Sequence, residues 1–557
     1  MEAIINISEI CHQLGVKHAV LSPGSRNAPL TISFARHKEI ECISVPDERS
    51  AGFIALGLAT TSKEPVILCC TSGTALANYL PSIIEAKLRH IPLVVMSADR
   101  PLEWIGQGDG QAIHQHNIYG DYVKRFFEVL PDYENKESKW LLHRTISEAV
   151  NLSMNNSKGP VHINIPFREP FYPNLNEEPN KLCNVIIKDN PIFGLSDYQI
   201  KNINVEINNY QKVLVVAGEN SSTQILIQQL ELLGIPCITD CNSNLSGIEY
   251  SISHHDTFLT KDRKELDKLV PDLIITIGEH FISKNLKVFL RKHKENTKHW
   301  HIGLNDNVAD IFQCLSRIIQ VEPIYFFNKV EYKIPNNEFL EDYLCEERKA
   351  IIYLNRTVQK ESFNEFINTQ TFMNVLPDNS ILFVGNSMPI RYVNIMQPTD
   401  NKCVSIYANR GSSGIDGTSS TAVGIALKHP NKIVTLLVGD IAFLYDKNAF
   451  WVNPMPSNLR IIVSNNAGGG IFNMIKGPGQ QPELETYFMT KHDRTAQQVC
   501  KESGIGYYKT RDKKSLIKGL EILYKQENTI KLLEVFTSIK ENTKEYEAYK
   551  KLEGYGE

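Results

Sequence analysis

Asp440 and Asn466 stand 26 positions apart, each just past an apolar run that reads as a buried strand. The first run is IVTLLVGD (433–440). The second, LRIIVSNN (459–466), continues into Ala467-Gly468-Gly469-Gly470. A carboxylate and an amide oxygen at the carboxyl ends of parallel strands suit a hard cation such as Mg2+, which also takes water and diphosphate oxygens. Glycines there let the backbone approach an anion and turn N–H groups toward phosphate. Singly, Asp440 would read as a helix N-cap and Asn465-Asn466-Ala467-Gly468 as a turn. The pair, after two buried strands, points to a metal–diphosphate site.

Four arginines share this placement beside strand ends. SPGSRNAP (22–29) carries Arg26, and ADRP (98–101) carries Arg100. GNSMPIR (385–391) carries Arg391, and ANRGSSGIDG (408–417) carries Arg410. The guanidinium fork matches the two oxygens of a carboxylate. One such arginine would read as a surface residue; four at strand termini imply substrates with several anionic groups.

These residues need strands to carry them, and the sequence supplies short β-branched runs alternating with helical stretches. Early strand candidates are 18–22, 40–45, 66–70, 93–98 and 161–165, with helices over 50–59 and 75–87 between them. A second block has runs at 212–218, 236–239, 273–278 and 299–303; a third has 381–387, 404–409, 433–440, 459–466 and 531–537. Continuous apolar runs without alternation suit strands covered on both faces, hence parallel α/β sheets. The reading is three doubly wound parallel-sheet domains at 1–175, 190–330 and 370–557. A polar, Pro/Asn-rich linker (176–189) and a charged, helix-like one (331–369) separate them. No short-period repeat is visible.

Composition narrows the function classes. The chain has 557 residues, 42% hydrophobic and 22% charged, so disorder and fibrous repeats are excluded. A net charge of −4 argues against nucleic acid as the main partner. No apolar run reaches the roughly 18–20 residues that span a membrane, and the N-terminus lacks the basic start of a signal peptide. The 11 cysteines show neither CxxC nor zinc spacing, and adjacent Cys69 and Cys70 read as small buried hydrophobes in a reducing cytoplasm.

GD–x(25)–N, embedded as GDIAFLYD…VSNNAGGG, resembles the motif of thiamine-diphosphate enzymes, with Ile441 in place of its third residue. The resemblance implies that Gly439 borders the cofactor and that Asp440, Asn466 and the Gly468 carbonyl hold Mg2+, or Mn2+, on its diphosphate. It further implies a glutamate at a helix start in the first domain that hydrogen-bonds the aminopyrimidine ring. The matching segment is PDERSAGFIALGLA, so Glu48 is the catalytic residue expected, with Asp47 and Arg49 as structural neighbours. Without the resemblance, Glu48 is a carboxylate favoured by the helix dipole. In such enzymes the two half-sites meet across a dimer, so Glu48 of one subunit should face Asp440 of another, in a homodimer or homotetramer. Ile415 is either the apolar wedge that bends the cofactor or a core isoleucine.

SPGSR, DER, TSGTA, SADRP, GQAI, SHHDTFL, GNSMPIR, NRGSSGIDG and GGGIF together resemble the menaquinone-pathway 2-succinyl-5-enolpyruvyl-6-hydroxy-3-cyclohexene-1-carboxylate synthase family over nearly the whole chain. That resemblance implies decarboxylation of 2-oxoglutarate and conjugate addition of the succinyl carbanion to isochorismate. By matched position, Ser25, Arg26, Arg100 and Gln111 bind isochorismate. Ser387, Arg391 and Arg410 hold carboxylates of the 2-oxoglutarate-derived part, and Phe472 lies against cofactor or substrate. Lys284 matches one member of a basic pair whose second member here is Asn285. His254-His255 falls in the middle domain and reads as structural.

Three other readings are open to the sequence. Another thiamine-diphosphate carboligase, of acetolactate-synthase type, or a 2-oxoacid decarboxylase would keep Glu48, Asp440 and Asn466 and turn over pyruvate alone. A dinucleotide-binding oxidoreductase would need a G-x-G-x-x-G between strand and helix, and none is present. A non-catalytic ligand-binding relative would have no use for Glu48.

Overall fold

The computed structural model describes residues 2–556, apart from 134, 170, 182, 220–223, 246–250, 306, 334–336, 398–401 and 476. Their strands pair in parallel into three six-stranded sheets. The first holds β1 (His18–Leu21), β2 (Glu41–Ser44), β3 (Val66–Cys70), β4 (Leu93–Asp99), β5 (Phe126–Glu128) and β6 (Val161–Pro166). The second holds β7 (Val213–Ala217), β8 (Cys237–Thr239), β9 (Ser251–Ile252), β10 (Leu273–Ile277), β11 (Lys298–Ile302) and β12 (Leu315–Ile319). The third holds β13 (Ser380–Val384), β14 (Val404–Tyr407), β15 (Val434–Gly439), β16 (Leu459–Asn465), β17 (Gly506–Thr510) and β18 (Lys531–Phe536).

The first sheet runs β2-β1-β3-β4-β6-β5 and the third β14-β13-β15-β16-β18-β17, so the two share one topology. The second runs β12-β11-β10-β7-β8-β9, the order of a dinucleotide-binding sheet. Central strands such as β3, β4, β7 and β10 are buried at every position, as expected of strands covered on both faces. The strands without a clear sequence signature, β5, β9, β12 and β17, all lie at sheet edges. They are short or half-exposed, so they lack the continuous apolar run that marks a central strand.

Two expected segments differ in detail. The helix over 75–87 is broken at Tyr79 into Thr74–Asn78 and Leu80–Leu88, with Pro81 opening the second piece. Tyr79 is held there by its hydroxyl, which donates to Cys69 O at 2.9 Å and lies 2.9 Å from Ser22 Oγ. The 331–369 segment contains the 21-residue helix Glu338–Val358, and Glu365 opens the next helix, Glu365–Val375.

The helices Glu48–Ser62 and Thr418–Lys428 cross between the first and third sheets. Their packing merges the two domain interiors into one core, in which Val20, Ile54 and Leu68 join Phe383, Val423 and Val463. The helix carrying Glu48 is thereby fixed to the domain carrying Asp440. All 11 cysteines are free, and Cys69 and Cys70 are buried. Among the described residues no helix is long and apolar enough to cross a membrane.

Candidate active site

In both outer sheets the strand order reverses between the first strand and the third, and open parallel sheets bind ligands past the strand ends at such points. The segments after β1 and β3 hold Ser25, Arg26 and TSGTA; those after β13 and β15 hold Ser387, Arg391 (in the helix Met388–Ile395) and Asp440. The sheet order therefore gathers motifs that lie far apart in the chain.

β15 pairs with β16, Gly439 opposite Ser464, so Asp440 and Asn466 leave neighbouring strands side by side. Asp440 is buried and opens the helix Asp440–Tyr445. Its Oδ1 accepts from Ile441 N at 2.8 Å, its Oδ2 accepts from Gly468 N at 3.1 Å, and His492 Nε2 lies 3.3 Å from Oδ2. Burial pushes its carboxyl above the ordinary range, against the pull of the Ile441 amide, His492 and the Gly468 amide. Asn465 points inward, its amide donating to Glu534 Oε1 at 2.7 Å and Arg494 O at 3.1 Å. Asn466 differs: its Nδ2 donates to Glu365 Oε1 at 2.7 Å, while its buried Oδ1 has no partner among the described residues.

An unmatched buried carbonyl costs about 1–3 kcal/mol, and a hard cation beside the Asp440 carboxylate would satisfy it. A Cβ at Gly439 would meet nothing within 4 Å, which leaves space at this strand end, whereas one at Gly468 would lie 2.7 Å from Met489 O. The donors thus fit a divalent cation carrying a diphosphate. No group of three His, Cys, Asp or Glu among the described residues is placed to hold a metal, so such a site must draw on amide and backbone oxygens.

Glu48 is the first residue of its helix. Asp47 is the N-cap, accepting from Ser50 N at 3.2 Å and from Asn448 Nδ2 at 2.7 Å. Arg49 donates to Tyr445 O at 3.0 Å and lies 4.6 Å over the Tyr445 ring. Both neighbours are anchored, while the half-buried Glu48 carboxylate has no hydrogen-bond or ion-pair partner among the described residues. Nor does such a contact join Glu48 to Asp440 or Asn466 within the chain.

The arginines form two pairs. Arg26, buried, donates to Phe167 O at 2.9 Å and lies 4.7 Å over the Phe171 ring. Burial and the neighbouring Arg100 both lower its pKa. Arg100 pairs with Asp109 at 3.0 Å and donates to Gly110 O. Gln111 is exposed, in a left-handed turn (φ 55°) packed against Gly73, and Ser25 is exposed on its loop. In the third domain, burial and the nearby Arg391 lower the pKa of Arg410. Arg410 donates to Asn386 Oδ1 at 2.8 Å, and Arg391 donates to Ser387 O. Neither meets a carboxylate within ion-pairing distance among the described residues.

The remaining expected residues are less tightly placed. Ile415 is 38% exposed and so is no part of its own chain's core. Phe472 is half-buried, its ring 5.8 Å from that of Phe488. Lys284 is exposed at the start of the helix Lys284–Lys292, and Asn285 donates to Asp256 O at 3.3 Å. Lys287, one turn further on, lines a cavity of about 430 Å³ shared with His90, Phe281, Arg410 and Ser413. His254 pairs with Glu347 at 2.6 Å and His255 with Asp240 at 3.3 Å, all buried, in keeping with structural roles.

Several site residues have no motif of their own. Glu85 accepts from Gly411 N (2.9 Å), Ser412 N (2.7 Å) and Ser412 Oγ (2.9 Å), clamping the Arg410 loop to the first domain. The fully buried Arg89 bonds Glu219 of the second domain and Asn409 of the third. Glu365 lies behind Asn466, and burial pushes its carboxyl up to about 7. In sequence each is an ordinary polar residue on a helix or at its end, and only the tertiary arrangement gives it these contacts.

Comparison with known proteins gives the family. Residues 1–118 match the family described as thiamine pyrophosphate enzyme, N-terminal TPP binding domain, and residues 199–384 match the middle domain of thiamine pyrophosphate. The 2-succinyl-5-enolpyruvyl-6-hydroxy-3-cyclohexene-1-carboxylate synthase of Cytophaga hutchinsonii is 42% identical over 99% of both chains. Proteins of the same name from Flavobacterium johnsoniae (96% of both chains) and Phocaeicola vulgatus (97% of this chain, 96% of the relative) are 37% and 33% identical. With this similarity along its whole length, the chain belongs to the thiamine-diphosphate-dependent 2-succinyl-5-enolpyruvyl-6-hydroxy-3-cyclohexene-1-carboxylate synthase family.

Proposed function

We propose that the protein decarboxylates 2-oxoglutarate and adds the resulting succinyl unit, in a conjugate sense, to isochorismate, as a cytoplasmic homodimer in menaquinone biosynthesis. The observation that carries this reading is the Arg391–Arg410 pair, of which Arg410 is largely buried and neither has a carboxylate of its own. A largely buried guanidinium beside a second arginine, with no carboxylate in ion-pairing distance, favours an anionic partner, and 2-oxoglutarate has a second carboxylate that pyruvate lacks.

When bound, thiamine diphosphate supplies the nucleophilic carbon and the electron sink for loss of carbon dioxide. Asp440, Asn466 and the Gly468 carbonyl would hold the divalent cation that carries the diphosphate. Glu48 offers its unpaired carboxyl to the aminopyrimidine ring and holds the proton there. Carried over from the family, the site is shared between subunits, and Glu48 serves the cofactor held at the partner subunit's Asp440. Arg391, Arg410 and Ser387 orient the succinyl carboxylates. Arg26 and Arg100, with Ser25 and Gln111 on adjoining loops, orient the ring substrate so that the two carbons approach.

The test is substrate dependence. Purified protein with thiamine diphosphate and Mg2+ should consume 2-oxoglutarate, form the succinyl adduct only when isochorismate is present, and leave pyruvate untouched. Turnover of pyruvate alone would reject the assignment.

A further inference from the structure

An asparagine side chain can serve a cation only with its oxygen, and its two ends are nearly the same size. A half-turn of the Asn466 amide would put NH2 where the unpartnered oxygen stands and exclude the ion. The arrangement around Glu365 prevents that turn. Glu365 opens the helix Glu365–Val375 and is 5% exposed. Its Oε1 accepts from Asn466 Nδ2 at 2.7 Å, which leaves the buried Asn466 Oδ1 without a protein partner among the described residues. The Glu365 oxygen that faces Asn466 serves as an acceptor, so it captures the NH2 end of the amide and turns the amide oxygen away.

Glu365 is itself held from behind. Its backbone N–H donates to Asn542 Oδ1 at 3.0 Å, and Asn542 Nδ2 donates to Thr537 Oγ1 at 3.0 Å. Thr537 Oγ1 donates to Glu365 Oε1 at 3.5 Å, and Thr537 N donates to Asn465 O at 2.9 Å. Asn542 is fully buried on the helix Ile539–Lys551. The glutamate is thus braced between the segment preceding the third domain and the last helix of the chain.

We infer that Glu365 is a positioning residue that sets the Asn466 amide with its oxygen toward the divalent cation, so that cation affinity depends on an acceptor at position 365. This rests on the reading of Asp440 and Asn466 as metal ligands. Groups one step behind a ligand typically change metal affinity by about 10–100-fold when removed.

The experiment titrates Mg2+ against full-length protein saturated with thiamine diphosphate, following the thermal midpoint, with Mn2+ binding by electron paramagnetic resonance as a second readout. Glu365→Ala should need about 10–100-fold more Mg2+ for half the midpoint rise, while Glu365→Gln, which keeps an acceptor, should stay within about threefold of wild type. If the alanine variant fails to fold, Glu365→Met, of similar length and without a strong acceptor, replaces it with the same expectation. Asp440→Ala serves as control and should abolish the metal-dependent rise. A Glu365→Ala or Glu365→Met variant with wild-type Mg2+ dependence would overturn the inference, as would Glu365→Gln impaired as much as they are. If Asp440→Ala also left the rise intact, the metal-site reading itself would fall.

Discussion

Gly57 and Gly424 face each other where the Glu48 helix crosses the helix Thr418–Lys428. A Cβ on Gly57 would lie 2.2 Å from Thr421 O, and one on Gly424 would lie 2.1 Å from Ile54 O. Backbone carbonyls cannot rotate aside, so the spacing of the two helices requires hydrogen at both positions. This contact binds the domain of Glu48 to the domain of Asp440.

Gly57→Ala tests that contact. Alanine in a helix interior normally stabilises by about 1 kcal/mol relative to glycine. Forcing a methyl into a packed interior costs about 1–3 kcal/mol, and a clash with fixed backbone belongs at the upper end. The denaturant midpoint of Gly57→Ala should therefore fall, by roughly 2 kcal/mol or more in stability. A rise would show that the crossing is loosely packed.

Asp446 gives a pH prediction. It is fully buried, accepts from Ser420 N at 2.7 Å and Ser420 Oγ at 2.9 Å, and burial pushes its carboxyl up to about 7. Between about pH 4 and pH 7 the folded chain keeps this proton while the unfolded chain releases it, so Asp446 lowers stability as pH rises through that window. An asparagine in its place cannot ionise but still accepts from Ser420 N. Asp446→Asn should therefore gain on wild type between pH 5 and pH 7 and hold its advantage above pH 7. Denaturant midpoints at a series of pH values check this; a pH-independent difference would contradict it.

Substrate contacts should separate by kinetics. Losing a hydrogen bond to a charged group costs about 1.5–3 kcal/mol, so Arg410→Ala and Arg391→Ala should each raise the KM for 2-oxoglutarate by roughly 10–100-fold. Arg26→Ala should act mainly on the KM for isochorismate. Initial rates with one substrate varied at a time would show this, and equal effects of all three variants on both substrates would refute the division.

Shared sites predict complementation. Glu48→Gln and Asp440→Ala should each be inactive alone. Co-refolded or co-expressed, they should recover about a quarter of wild-type activity, since half the dimers are mixed and each has one intact site, a random-pairing estimate for C2 dimers. No recovery in a verified mixed dimer would place both residues in the same subunit's site.

The sequence showed the central strands and the strand-end motifs because both leave local marks. VILCC and LIITI are continuous apolar runs, and Asp440 and Asn466 follow two other such runs directly. Edge strands such as Ser251–Ile252 leave no such mark, and the shared topology of the outer sheets is visible only in their strand order. Glu365, Glu85 and Arg89 were hidden for another reason. Their roles depend on contacts 101 to 327 positions away in the chain, which neither periodicity nor spacing encodes.

That Asp440 and Asn466 clamp the diphosphate of thiamine diphosphate through a divalent cation is the claim on which the rest depends. It is tested most directly by the thermal midpoint with and without thiamine diphosphate plus Mg2+, because a ligand that binds only the folded state must raise the midpoint. The expected result is a clear rise that is lost on chelation and in Asp440→Ala. An unchanged midpoint at saturating cofactor, or a rise indifferent to chelator and to Asp440, would contradict it.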